Sequence, residues 1–438
     1  MRLRRTLLVL ALAVVITAGA WVAGRPFGGP SGGESGGAPP PRGASAVVPP
    51  SGQGLGPYLA RLRAHLAEQP RDAAAWAALG TGRVEEARRT ADPELYGQAE
   101  AALGRSLKLR PARANDGALA GQAALAAARH DFPAALRLAR RSLAVNAYGE
   151  LALAIRVDAL VELGRYGPAR TAARQADARR PGIPAFTRLA YVEELRGARG
   201  AARRALELAH SSAVSPADRA QTATALGELD RAEGKGAAAL RRYAEALHAE
   251  PGHLPALLGR GQVRAAQGRW RGAVADLRAV VARQPLPAPR ALLGEMYDAR
   301  GRHDAARQQY DSLGAWAKVA RAQRVRTDLD TALADADHGD RRTALRAARA
   351  EWSRRHTVHT ADALAWALHR RGQDERALPL ARRAAAPGYR NAMFLYHRAE
   401  IERALGRDAD AARHTRQALR LRTALTPQAR TALEARAR

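Results

Sequence analysis

The 438-residue sequence contains no cysteine. This absence excludes disulfide bonds, thiolate ligands for metal ions and a thiol nucleophile. It also excludes attachment to a membrane through a lipid-modified cysteine. The composition is compatible with an oxidising compartment but does not require one.

Lysine is almost absent as well. Only Lys108, Lys235 and Lys318 are present, so 68 of the 71 basic residues are arginine. The formal net charge of +29 favours an anionic partner such as nucleic acid or an acidic surface. However, an arginine bias with abundant alanine, glycine and proline is also typical of a GC-rich bacterial genome, so charge alone does not identify the partner.

Motifs of common catalytic and cofactor sites are missing too. The sequence has no HExxH, GxSxG, Walker A or dinucleotide-binding GxGxxG pattern. His397 and Glu400 lack a second histidine at zinc-site spacing, and Asp335 and Asp337 before Gly339 lack the other ligands of a calcium loop. We therefore predict a non-enzymatic protein with no catalytic residues, no cofactor and no metal site.

The N-terminus combines three arginines with an apolar run from Leu7 to Ala23. This pattern is typical of a signal peptide or an N-terminal membrane anchor, which we assign to residues 1–24. Cleavage after Ala20 and retention as an anchor are both compatible with the sequence. In either case we expect the rest of the chain outside the cytoplasm, held at the cell membrane by a single span or secreted after cleavage.

Residues 25–57 contain 10 Gly, 8 Pro and 4 Ser. Such a segment has too little apolar surface to fold. We predict that it is a disordered linker between the N-terminal segment and the remainder of the chain.

A glycine recurs through the rest of the chain at intervals of 33 to 38 residues, and an alanine follows each one five residues later. A period near 34 residues is typical of stacked helix–turn–helix units. Glycine permits the turn between two helices, and alanine permits the helices to approach closely. The recurring glycines are Gly164, Gly197, Gly234, Gly268, Gly301, Gly339, Gly372 and Gly406.

These units resemble the tetratricopeptide repeat. The resemblance implies an all-α, right-handed superhelical solenoid of about ten repeats over residues 58–425, with a lone helix at 58–69 before the first repeat. Residues 426–438 would form a C-terminal capping helix or tail, with Thr426 as N-cap and Pro427 as its first residue. The matching residues of the fifth unit are Leu226, Gly227, Gly234, Ala239, Tyr243, Ala246 and Pro251.

In tetratricopeptide arrays the first helix of each unit lines the concave surface. The unit positions that line this surface in tetratricopeptide arrays correspond to 40 residues in units three to ten of this sequence. Nine of them are acidic and four are arginine. The resemblance therefore implies a partly acidic groove in a protein of +29. We predict that the partner-binding residues are Asp158, Glu162, Tyr191, Glu194, Glu228, Glu295, Asp298, Asp337, Asp362, Trp366, Tyr396 and Glu400.

An acidic groove favours a protein or peptide partner of basic or amphipathic character and argues against nucleic acid. The expected function is thus a protein-binding scaffold, with the membrane as a second partner through the N-terminal segment. The alternative uses the arginines of the second helices, such as Arg170 and Arg174, which would face outward. That convex face would bind an anion: nucleic acid, acidic lipid or a wall polymer.

Overall fold

The computed structural model describes residues 54–437, so the predicted segment 1–24 and nearly all of the predicted linker 25–57 lie outside the described residues. Within 54–437 the chain forms 22 α-helices and no strand. The predicted fold class, an all-α superhelical solenoid of about ten repeats, is confirmed. The helices are α1 (Leu55–Glu68), α2 (Ala73–Thr90), α3 (Leu95–Leu109), α4 (Asp116–Ala128), α5 (Phe132–Val145), α6 (Glu150–Glu162), α7 (Tyr166–Arg179), α8 (Ile183–Leu195), α9 (Arg199–Ser211), α10 (Pro216–Ala232), α11 (Gly236–Ala249), α12 (Leu254–Ala266), α13 (Trp270–Arg283), α14 (Pro287–Asp298), α15 (His303–Ala322), α16 (Asp328–His338), α17 (Arg341–Arg354), α18 (Val358–His369), α19 (Asp374–Ala385), α20 (Ala392–Ala404), α21 (Asp408–Arg420) and α22 (Pro427–Arg436).

Helices α2 to α21 form ten helical hairpins, which we number as units one to ten. The two helices of each unit pack against each other, and each second helix packs against the first helix of the next unit. Helix α1 covers the exposed side of α2. It begins at Leu55, before the predicted boundary at 58, because proline at position 57 is tolerated in the first turn of a helix.

The turns within the units depend on left-handed backbone. Seven of the recurring glycines have φ between +68° and +79°, and the alanines that follow them are at most 1% exposed. Unit eight differs, because Gly339 has a φ of −135°. There the side chain of Asp340 caps α17 by accepting from Arg342 N and Thr343 N, which closes the turn without a left-handed residue.

The solenoid winds so tightly that its two halves touch. The turn within each of units one to five lies against the loop that follows the unit five places later. We call units one to five the first coil, units six to ten the second coil, and their line of contact the seam. The contacts are Arg89 with Gln284, His130 with Arg326, Gly164 with His356, Gly197 with Gly388, and Gly234 with Arg420.

Helix α15 strengthens the seam. It has 20 residues, whereas α13 and α17 have 14 each. Trp316 and Ala320 in its extension are buried in one apolar cluster with Tyr96 and Leu103 of the first unit. A cavity of about 480 Å³ lies between α15, α16 and α17.

The C-terminal end of the chain turns inward. A 3-10 helix at Arg422–Ala424 leads to α22, whose N-cap Thr426 accepts a hydrogen bond from Ala429 N at 3.3 Å. Helix α22 packs against α21 and also against α14 and α20, the first helices of units seven and ten. Across residues 54–437, none of the helices is both long and apolar enough to span a bilayer.

Candidate partner-binding surface on the inner face

All twelve predicted groove residues lie on first helices between α6 and α20. The surface that these first helices present toward the superhelix axis is here called the inner face. The structure places the twelve residues in three environments. Three are near the seam, six contact α22 or lie among the first helices beneath it, and three carry acid groups that remain partly open to solvent.

The residues near the seam are Asp158, Glu162 and Tyr191. Glu162 and Tyr191 join the coils, because they contact residues of the second coil that lie 193 and 168 positions further along the sequence. Burial raises the pKa of Asp158 and Glu162, and this effect is opposed by their arginine partners. The contacts are Asp158 with Arg188 at 2.9 Å, Glu162 with Arg355, and the Tyr191 hydroxyl with His359 Nε2 at 3.4 Å.

Helix α22 lies on part of the inner face of the second coil. Gln428 N donates to Glu295 Oε2 at 3.3 Å, and Arg436 forms an ion pair with Glu400 at 2.8 Å. Glu295 lies in unit seven and Glu400 in unit ten, so α22 bridges the inner face between them. Between these two polar contacts the buried residues of α22 share one apolar cluster with the inner face. We call this part of the inner face the α22 groove, defined by Glu295, Ala336, Trp366, Tyr396 and Glu400.

Trp366 forms the centre of the wall beneath α22 and is 2% exposed. Its ring stacks on His397 at 4.2 Å and on His369 at 4.9 Å. The indole Nε1 donates to Asp337 at 2.9 Å, and Asp362 accepts from His397 Nδ1 at 2.9 Å. Asp337, Asp362 and Trp366 therefore hold the first helices of units eight to ten in place.

The acid groups that remain partly open are Glu194, Glu228 and Asp298. The side chains of Glu228 and Asp298 are 36% and 41% exposed. Each accepts a hydrogen bond from a tyrosine, Tyr243 at 2.6 Å and Tyr310 at 2.9 Å respectively. The second oxygen of each carboxylate is paired as well, that of Glu228 with Arg231 at 2.6 Å and that of Asp298 with His303 at 3.0 Å.

Glu194 is half-buried, and within residues 54–437 no donor forms a hydrogen bond or ion pair with its carboxylate. Burial raises its pKa to about 7, while the nearby Arg199 opposes that shift and the carboxylate of Glu228 adds to it. The negative form of this side chain is therefore poorly stabilised in the free protein. A cation brought to this position would stabilise it.

The pairing of these acids was not foreseen from the sequence. Arg355 lies in the loop between units eight and nine, and Arg188 faces α6. Neither residue is at a position that the tetratricopeptide resemblance assigns to the concave surface. Arg231 and Arg403 do lie on the inner face, and each forms an ion pair with the glutamate three residues before it. These two ion pairs could have been predicted from the sequence, because residues three apart on a helix are neighbours.

The outer face of the solenoid carries many arginines without partners. On the second helices of units two, three, eight, nine and ten, several are exposed and form no ion pair or hydrogen bond with any residue in 54–437. Each of these helices buries its alanine-bearing side, so the arginines on the opposite side face solvent. They are Arg137, Arg140, Arg141, Arg174, Arg349, Arg382 and Arg416.

Neither candidate metal motif of the sequence assembles a metal site. Among residues 54–437, no three histidine or carboxylate side chains are placed to hold a metal ion. His397 is paired with Asp362, and Glu400 with Arg403 and Arg436. Asp340 is used as a helix cap.

No protein-family model and no curated protein matches the sequence. Several solved structures share the arrangement of helices. Human IFIT1 in a dimer with PPP-AAAA is 15% identical, with 84% of this chain and 87% of that chain covered and a TM-score of 0.48. PilW, a type IV pilus biogenesis factor, is 18% identical over 46% of this chain and 92% of its own, with a TM-score of 0.38. A tetratricopeptide repeat protein from Parabacteroides merdae is 18% identical over 57% of this chain and 96% of its own, with a TM-score of 0.32. At these identities the likeness is one of fold.

Proposed function

We propose that this protein is a non-enzymatic scaffold that binds a segment of another protein on the inner face of its solenoid. The observation that carries the proposal is the docking of α22. A short helix bearing Arg430 and Arg436 lies on this face, with its buried side chains over an aromatic wall and its polar ends at Glu295 and Glu400. The inner face thus has the chemistry that an amphipathic, basic segment requires.

The open acids extend this chemistry beyond α22. Glu194 and Glu228 place acid groups on α8 and α10 of the first coil, and Asp298 places one on α14, three residues after Glu295. A lysine or arginine of the partner would supply the donor that Glu194 lacks. Charges of this kind mainly accelerate encounter and select among partners, whereas buried apolar contacts supply most of the affinity.

We further propose that the scaffold works outside the cytoplasm, because residues 1–24 have the pattern of an export signal or membrane anchor. A reporter enzyme that is active only outside the cytoplasm, fused after residue 57, tests this placement. We expect activity from the intact fusion and none when residues 1–24 are deleted. A reporter that is active only inside the cytoplasm would show the opposite result if the placement is wrong.

A second candidate function is anion binding on the outer face. It is favoured by the exposed arginines without partners on five second helices, which present a basic surface to nucleic acid, acidic lipid or a wall polymer. The two functions use opposite faces, so charge reversal on one face at a time separates them.

The test uses the purified protein as bait in extracts of its native host. The inner variant carries Glu194→Lys and Glu228→Lys. Its matched control carries Glu207→Lys and Glu375→Lys, two exposed acids on second helices, and has the same net charge. A third variant carries Arg137→Glu, Arg140→Glu and Arg174→Glu.

We expect a protein that the parent and the matched control capture and that the inner variant loses. Binding of the purified partner, measured by titration calorimetry, would then weaken in the inner variant alone. Equal capture by the inner variant and its control contradicts the proposed function. Loss from the arginine variant alone, together with recovered nucleic acid, lipid or polymer, would assign the function to the outer face.

A further inference from the structure

The end of the chain occupies the surface to which we assign partner binding. We propose that α22 is a displaceable occupant of the α22 groove, and that the partner replaces it with an amphipathic, arginine-bearing helix of its own. This inference rests on the proposed function and adds its regulation and the chemical class of the partner segment.

The polar contacts of α22 are directed at both ends of the groove. Gln428 N meets Glu295, and Arg436 meets Glu400. Arg430 donates to the backbone oxygen of Ala266 at 2.5 Å, at the C-terminal end of α12, where helix carbonyls have no partner within their own helix. None of these contacts depends on a chemistry unique to α22, so a helix from another protein with arginines at the same spacing would satisfy the same groups.

The apolar contacts are few. Pro427, Ala429 and Leu433 are the buried residues of α22, whereas α20 has eight buried residues. Leu433 is completely buried in the cluster that contains Trp366 and Tyr396. One leucine with an alanine four residues before it therefore anchors the segment, and residues such as Thr431 and Ala435 face solvent.

The preceding turn allows α22 to leave without unfolding the end of the solenoid. The hydroxyl of Thr423 donates to Arg231 O at 2.9 Å, and Leu421 and Leu425 are buried, so the chain is held up to residue 425. Beyond that point α22 has ten residues. Isolated helices of this length are not stable in water, so the released segment loses its helix and does not compete strongly with a preformed partner helix.

The partner is thereby defined by chemistry. It presents a helix with a small residue and a leucine four positions apart on one face and with arginines near both ends. A partner segment with acidic side chains at those ends would meet Glu295 and Glu400 and would be rejected. The α22 sequence itself is the first probe of this class.

The test uses the full chain and a fluorescent peptide of residues 425–438, with binding followed by anisotropy. Leu433→Asp in the protein releases α22, because it places a charge in the apolar cluster. Thr431→Asp is the matched control, since it adds the same charge to the same helix at an exposed position. A peptide that itself carries Leu433→Asp controls for nonspecific attraction between arginines and acids.

We expect the peptide to bind Leu433→Asp at least about tenfold more tightly than the parent or Thr431→Asp, because the parent groove is open for only a small fraction of the time. The mutated peptide should bind none of them tightly. Equal affinity for parent and Leu433→Asp, or no binding to either, overturns the inference. Circular dichroism of each variant establishes that the solenoid stays folded, and Arg436→Glu provides a second release variant that leaves the apolar cluster intact.

The failure of this inference is distinguishable from failure of the proposed function. One outcome is that Leu433→Asp does not increase the affinity for the peptide while the inner variant still loses a captured protein. In that case the proposed function stands and α22 is a permanent cap. If the released groove binds the peptide but no host protein depends on the inner face, the proposed function falls. Concentration-dependent dimers of the Leu433→Asp protein, with no gain in peptide binding, would point to exchange of α22 between two copies and would also overturn displacement by a partner.

Discussion

At the scale of single residues, glycine has two separate roles in the turns of this solenoid. Gly197 and Gly372 have nearly the same left-handed backbone, with φ of +76° and +70°. Their surroundings differ, because a Cβ at Gly197 would lie 2.6 Å from Gly388 O across the seam, whereas nothing lies within 4 Å at Gly372. One glycine serves the turn alone, and the other also allows the coils to touch.

Substituting alanine at these positions separates the two roles. We expect Gly372→Ala to cost about 1–2 kcal/mol through the left-handed backbone. Gly197→Ala should cost about 1–3 kcal/mol more, because the added methyl group overpacks the seam. Urea unfolding of both variants measures the difference, and equal losses would mean that the seam does not contribute to stability.

Glu194 gives a pH-dependent prediction. Burial raises the pKa of Glu194 from its ordinary value of 4.5 to about 7 in the folded protein, so the folded state binds more protons between these pH values and stability falls as pH rises through this window. We expect Glu194→Gln to stabilise the protein by about 1–3 kcal/mol at pH 8, and by much less near pH 5. Urea unfolding at both pH values tests this. Glu207→Gln, on an exposed side chain, should change stability by less than about 0.5 kcal/mol at either pH.

At the scale of helices, close approach within a unit depends on small residues. In unit six, Ala273 of α13 is completely buried, and a Cβ at Gly261 of α12 would be 3.3 Å from its backbone oxygen. The two helices thus meet with no space for a longer side chain. In units three to ten the corresponding alanine is at most 1% exposed.

Leucine at this contact tests the repeat register. Ala273→Leu should cost about 1–3 kcal/mol because it forces the helices of unit six apart. Ala275→Leu, two residues later on the exposed side of α13, should have little effect. Thermal unfolding followed by circular dichroism compares them, and similar melting of both variants would mean that α13 is rotated relative to α12.

At the scale of the whole molecule, the seam turns an open superhelix into a closed one. Arg355 is 6% exposed, pairs with Glu162 of the first coil and Glu351 of its own coil, and lies over the Phe132 ring at 4.9 Å. It therefore connects the coils through one buried cation. Its removal leaves Glu162 without its ion-pair partner and Glu351 with Arg354 alone.

We expect Arg355→Ala to cost about 3–5 kcal/mol and to loosen the seam. Small-angle scattering should report a larger radius of gyration, and urea unfolding should report the loss of stability. Arg413→Ala removes an exposed pair with Asp410 and should cost at most about 1 kcal/mol, with no change in radius. An unchanged radius in Arg355→Ala would mean that the coils stay together without this ion pair.

The helices and their pairing were predictable, because glycine turns, buried alanines and unit-ending prolines act within about 34 residues of sequence. The sequence places His130 in the glycine position of unit two, but it does not show how the turns of units two and eight are closed. His130 adopts the left-handed backbone conformation in unit two, and the side chain of Asp340 closes the turn in unit eight. The same turn can therefore be formed by different residues in different ways. The predicted groove residues were placed on the correct helices, but their burial and pairing were beyond the repeat frame.

Periodicity and contacts between neighbouring units are enough to specify the fold class and the pairing of helices, because both act within about 34 residues of sequence. The assembled solenoid, and no local pattern, sets the pairing of Glu162 with Arg355, the lack of a donor at Glu194 and the position of α22 between Glu295 and Glu400. Each of these depends on how far the solenoid rotates from one unit to the next. Small rotations add up over five units, and their sum brings together residues that no local pattern connects.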